Sequence, residues 1–177
     1  MEDLQLAKRI RSAIKGGYAT EVIELLDNNS SLINMTTPFG TWLHVASRHG
    51  QLDIVKQLIA LGMDVDTQGG ISGGKALNEA TAGGHLDIVE YLVKHGADLD
   101  VQVSEQNALF TAIHGGHTRI AKFLIDNGID THVRYTGESM KNMDAIAFAR
   151  EWGRDDIVEL LEGKDARNVT GRTTKTS

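Results

Sequence analysis

Residues 49–66, HGQLDIVKQLIALGMDVD, return at 83–100 as GGHLDIVEYLVKHGADLD with nine identities in eighteen positions. An internal repeat constrains a fold more tightly than any single motif, because each copy must solve the same packing problem against its neighbour. A third copy, GGHTRIAKFLIDNGIDTH, occupies 115–132, and eroded copies stand at 16–33 (GGYATEVIELLDNNSSLI) and 152–163 (WGRDDIVELLEG). Gly17, Gly50, Gly84, Gly116 and Gly153 anchor them at separations of 33, 34, 32 and 37 residues. The spacing predicts a stacked array of units of about 33 residues.

One unit, TWLHVASRHGQLDIVKQLIALGMDVD at 41–66, shows the local logic. Thr41 is a candidate N-cap, and Leu43, Val45 and Ala46 place one apolar face on a short helix. Gly50 ends it, since glycine reaches the left-handed C-terminal conformation at low cost. A second helix over 52–61 presents Leu52, Ile54, Val55, Leu58 and Ile59 as a buried stripe, and Gly62 stops it. Neither helix can bury its apolar face by itself, so stability must come from adjacent units.

This run resembles the ankyrin repeat, whose usual sequence reads TPLHLAAxxGHLEIVxxLLxxGADVN. KALNEATAGGHLDIVEYLVKHGADLD, from Lys75, resembles it about as well, and NALFTAIHGGHTRIAKFLIDNGIDTH, from Asn107, follows in register. The terminal units look like capping repeats, with Val22, Ile23, Leu25 and Leu26 in the first and Ile157, Val158, Leu160 and Leu161 in the last. The resemblance implies an all-α solenoid of about five helix-turn-helix units joined by hairpin loops. Boundaries are expected near 1–35, 36–67, 68–102, 103–134 and 135–163. The sequence departs from the pattern at defined places. The proline of TPLH is replaced by Trp42, Ala76, Ala108 and Ala145, and its histidine is kept as His44 but becomes Asn78, Phe110 and Ala147. The final asparagine becomes Asp66, Asp100 and His132, which removes any regulation acting on that asparagine.

Composition excludes several function classes. The chain has 18 basic and 24 acidic residues, a net charge of -6, and no basic stripe of the kind nucleic-acid binders carry. No cysteine is present, so disulfides, thiolate nucleophiles and cysteine-rich metal sites are absent. No stretch approaches about 18 uninterrupted apolar residues and no signal-peptide pattern opens the chain, so no membrane association is expected and the localisation reads as cytoplasmic. Asn168-Val169-Thr170 matches a glycosylation sequon that such a compartment leaves unused. GGISGGKA at 69–76 matches the phosphate-cradling loop except that Ala76 stands where a magnesium-binding hydroxyl belongs, and the motif needs a preceding strand that the repeat pattern does not supply. The histidines show no metal-ligand spacing, so no metal and no cofactor are expected. Catalysis would have to draw on Lys75, His49 or His114 beside a deep pocket, and a non-enzymatic chain is expected instead.

The resemblance implies a protein partner, bound through hairpin tips and through the exposed pair of residues before each anchor glycine. By register the pairs are Lys15 and Gly16, Arg48 and His49, Ala82 and Gly83, His114 and Gly115, and Glu151 and Trp152. Lys15 and Arg48 make the first half basic, and the small residues Ala82, Gly83 and Gly115 are expected to open space in the middle. Trp152 either projects as a contact hot spot or packs under the last hairpin. Phe39, Trp42 and Tyr135 lie in or beside the hairpins as further aromatic candidates, with Phe110 expected in the core. The long hairpin at 133–143, with Arg134, Tyr135, Glu138, Met140 and Lys141, either reaches over a partner or covers the C-terminal cap. Lys75, at a helix N-terminus, is a candidate contact for an acidic group. From 164 to 177 apolar periodicity disappears and a disordered polar tail is expected. The free chain is expected to be monomeric. In size and style it resembles the ankyrin proteins that serve bacteria as immunity factors against secreted toxins. The alternative is a regulatory adaptor or a host-targeting effector.

Overall fold

The computed structural model describes residues 2–70, 73–99, 101–137 and 140–172. Ten α-helices form five pairs among them: α1 Glu2–Gly16 with α2 Ala19–Asp27, α3 Trp42–Arg48 with α4 Leu52–Ala60, α5 Ala76–Gly83 with α6 Leu86–Lys94, α7 Ala108–Gly115 with α8 Thr118–Asp126, and α9 Ala145–Glu151 with α10 Asp155–Arg172. No strand occurs among the described residues. Two isolated bridges, Thr37 to Gly40 and Tyr135 to Met143, close hairpins that connect successive pairs.

The chain divides into two compact units, Met1–Asp98 and Leu99–Ser177. In the first, α3 packs between α1 and α5, while α2, α4 and α6 form a second layer behind them. Of the stripe read from the sequence, Ile54, Val55 and Leu58 fill the space between layers, while Leu52 and Ile59 are only half-buried. Ile54, Val55 and Leu58 of α4 are 1%, 0% and 0% exposed, and they meet an interior that includes Ile10, Ile14, Leu26, Leu43, Leu77, Ile88 and Leu92. In the second unit α7 packs on α9, α8 packs on α10, and a 3₁₀ turn at Ser104–Gln106 lies on α7. Leu109, Ile113, Ile120, Leu124 and Ile157 make its core.

Each pair turns on its anchor glycine. Gly50 has φ +72°, and its amide and that of Gln51 bond back to Ser47 and Ala46 carbonyls as α3 ends. Gly17, Gly84, Gly116 and Gly153 repeat this left-handed turn. A different constraint holds at Gly69, where an added Cβ would lie 2.9 Å from the Gly40 Cα, so two successive hairpins touch backbone to backbone.

The polar segment after 163 differs from expectation. Helix α10 runs on to Arg172, and residues 173–177 lie outside the described residues. Gly163 lacks the positive φ of the glycines that follow most of the other helices, no proline follows it, and the Lys164 ammonium donates to the Ile125 and Ile129 carbonyls at 3.2 and 3.4 Å. Helical backbone therefore extends past Leu161, the last residue of the apolar stripe.

Candidate functional site

The start of each inner helix is held by a different set of atoms. At α3 the His44 Nε2 lies 3.0 Å from the Gly74 carbonyl, which can only accept, so Nε2 carries the proton. Nδ1 is then the acceptor for the Thr41 amide at 3.2 Å and the Thr41 hydroxyl at 2.9 Å. Burial pushes the His44 pKa below its ordinary value, against the raising effects of the Gly74 carbonyl and Glu79. At α5 the Asn78 Oδ1 replaces the imidazole and accepts the Lys75 amide at 3.1 Å. At α7 and α9, where Phe110 and Ala147 occupy that position, capping shifts to the preceding polar residue: Asn107 Oδ1 accepts from Leu109 and Phe110, and Asp144 Oδ1 from Ala147.

On this frame, the first unit carries a cleft of about 440 Å³ lined by Arg11 and Lys15 of α1, Phe39 of the hairpin, Val45, Arg48 and His49 at α3, and Glu79 of α5, with His44 and Gly70 at its floor. Arg11 places its guanidinium 4.7 Å from the centre of the Phe39 ring, and Phe39 remains 51% exposed. Arg48 pairs with Glu79 at 3.1 Å. Among the described residues neither Arg11 nor Lys15 has a carboxylate partner. Partial burial, then Lys15, Arg48 and His85 in that order, hold the His49 pKa below its usual value. Sequence reasoning placed Lys15, Phe39, Arg48 and His49 here but missed Arg11 and Glu79. Arg11 stands four residues before Lys15 on α1, a spacing that sets both cations on one helix face.

The second unit holds an aromatic ladder. Tyr135 meets Phe110 edge to face at 4.9 Å, Phe110 stacks on Phe148 at 4.7 Å, and Phe148 lies 6.0 Å from Trp152. Trp152 touches His114 at 4.3 Å and is 43% exposed, so it stands at the surface beside Glu151 with one side supported. Phe110 is core, as expected.

Three candidates have other duties. Trp42 is fully buried in place of the missing proline, and its indole N–H donates to the Leu32 carbonyl at 2.7 Å. Tyr135 is buried too; its hydroxyl donates to the Val101 carbonyl and accepts from Asn107. Lys75 is held inside its own unit by Asp66 at 3.4 Å and Asp98 at 3.5 Å, with only 12% of its side chain exposed. Aromatic or basic character said nothing of these partners, which arrive from ten or more residues away except for Asp66. Arg134 is exposed but tied to Asp144 and to the Asn142 carbonyl, so the long hairpin is braced on itself; Glu138 lies outside the described residues. Ala82 is exposed on α5, whereas Gly83 and Gly115 do not open space. The His85 and His117 rings lie over them, and a Cβ at either would come within 2.5 Å of the ring.

Paired helices turning on left-handed glycines, with inner-helix ends exposed and hairpins between, define a repeat protein of the binding type. A family model described as "Ankyrin repeats (3 copies)" matches residues 10–103, more than half of the chain, and one described as "Ankyrin repeats (many copies)" matches residues 82–125. The chain belongs to the ankyrin repeat family. Ankyrin repeats are generic protein–protein interaction modules and typically non-enzymatic. No curated protein matches the chain. Among the described residues no group of three or more His, Asp or Glu could hold a metal ion, and no helix is long and apolar enough to cross a membrane.

Proposed function

We propose that this chain binds one protein partner through the exposed ends of its inner helices and acts by covering the partner's surface, without turnover. The observation that carries the reading is the cleft of the first unit, where Lys15, Phe39, Arg48 and His49 stand exposed in positions the packing of the repeats does not require. In the second unit His114, Glu151 and Trp152 are also exposed. A standard interface needs about 800 Å² from each partner, and several repeats each contributing a few side chains supply that order of area.

The most specific form of this reading is an immunity-type inhibitor that occludes a secreted toxin. It is supported by the small, cysteine-free repeat array and by the charged cleft, which suits a partner of opposite charge. The test is affinity purification of the tagged protein from its native cells. One stoichiometric enzyme encoded beside this gene supports the inhibitor, several substoichiometric clients support an adaptor, and failure to recover any protein refutes the binding reading.

A further inference from the structure

Arg11, Lys15 and Arg48 bring three cations to the wall of one cleft, against a single carboxylate, Glu79, that is already bonded to Arg48. This is a local excess of positive charge in a chain whose net charge is -6. Helix dipoles favour Lys15 and Arg48 in the last turns of α1 and α3, but no helix end accounts for Arg11. Lys15 is exposed in the last turn of α1, and Arg11 has its ring contact with Phe39 but no ion pair among the described residues. Concentrating like charges costs free energy unless an anion offsets it, and a partly enclosed wall strengthens the attraction for one.

The cleft also has an apolar side. Phe39 keeps half its surface open while the Arg11 guanidinium covers part of its ring, and Val45 adds to the lining. A ligand that matches both sides carries a carboxylate next to an apolar group. The volume of about 440 Å³ admits a few side chains of an extended segment, not a nucleic-acid duplex, and the acidic remainder of the chain repels a long polyanion.

Resting on the protein-binding reading, we propose that this cleft is the recognition site for an acidic segment of the partner protein, in which a Glu or Asp carboxylate sits between Lys15, Arg11 and Arg48 and an adjacent apolar side chain packs on Phe39. Arg48 is held ready by Glu79, whose side chain is 18% exposed, so the segment meets a guanidinium already positioned.

The test uses the full chain and a short fluorescein-labelled peptide of repeated Glu-Glu-Phe-Gly units, followed by fluorescence anisotropy. Replacing every Glu of the peptide by Gln should weaken binding by about tenfold or more, as should the double variant Arg11→Glu with Lys15→Glu. Lys94→Glu, a charge reversal on α6 outside the cleft lining, should leave binding unaltered, and circular dichroism should show the double variant folded. Equal affinity for the Gln peptide, or an unchanged affinity of the folded double variant, overturns the assignment. So does a peptide with phosphoserine for Glu that binds strongly where the Glu peptide does not, since the site is then one for phosphoryl groups. If the partner recovered from cells binds the double variant normally, the cleft assignment fails and the protein-binding reading stands. If the acidic peptide binds as expected and no cellular partner is recovered, the protein-binding reading fails and the assignment of the cleft to a partner's segment falls with it.

Discussion

His44 shows how one side chain joins two repeats. Its ring nitrogens connect the start of α3 to the Gly74 carbonyl in the loop before α5, thirty residues on. Protonation would put a hydrogen on Nδ1, facing the Thr41 amide donor, in a buried site. The folded-state pKa is depressed, so the unfolded chain binds the proton more readily. Stability on this account is full above the ordinary value of 6.5 and is lost as pH falls from there through the folded pKa. Melting temperatures measured across this range should show that loss, and His44→Asn, which copies the Asn78 arrangement, should reduce the slope. Trp152 makes the opposite case. Its removal in Trp152→Ala takes away the ring contacts with His114 and Phe148 and costs about 1 kcal/mol of stability, whereas binding should weaken by about 2 kcal/mol if the exposed indole is a contact. A large shift in melting with unchanged affinity would make it a cap residue.

At the scale of the helix, the apolar stripe carries the stability. Leu58 is fully buried between the layers, and Leu58→Ala should cost about 2–5 kcal/mol in denaturant unfolding, the range for deleting a buried leucine. Leu58→Asp should prevent folding, since it leaves a carboxylate unpaired in the interior. Helix α9 depends more on its cap. Asp144 accepts the Ala147 amide at 2.9 Å and pairs with Arg134, so Asp144→Ala should cost about 1–2 kcal/mol and speed amide exchange in α9 and in the 133–143 hairpin together. The same comparison explains how capping survives the loss of the repeat's histidine. Where a histidine or asparagine stands three residues in, it accepts the amide of the cap residue; where it does not, the cap residue accepts from the helix.

At the scale of the molecule, the chain is two compact units, and the basic cleft belongs wholly to the first. Stability in repeat proteins is close to a sum of units and nearest-neighbour contacts. The fragment 1–98 should therefore retain helical circular dichroism and a cooperative melt, at a lower temperature than the full chain. Much of the candidate surface was legible by register, because the residues before each anchor glycine have fixed places relative to it. Arg48, His49, His114 and Trp152 are exposed there, as counting back from Gly50, Gly116 and Gly153 implies. Trp42, Tyr135 and Lys75 were not legible, since each is withdrawn by a contact that depends on how loops fold back: the Leu32 carbonyl, the Val101 carbonyl, and the Asp66 and Asp98 pair.

The repeat, the helix pairs and the buried stripe were determined by sequence, because spacing of glycines and apolar residues is a local property that helix geometry converts directly into packing. Tertiary structure decided which charges and rings remain available. Arg11 reaches Phe39 across twenty-eight residues, Glu79 positions one of the cleft's three cations, and the His85 and His117 rings fill the gaps over Gly83 and Gly115. Those outcomes depend on distances between segments remote in the chain, and a partner reads the surface that they leave.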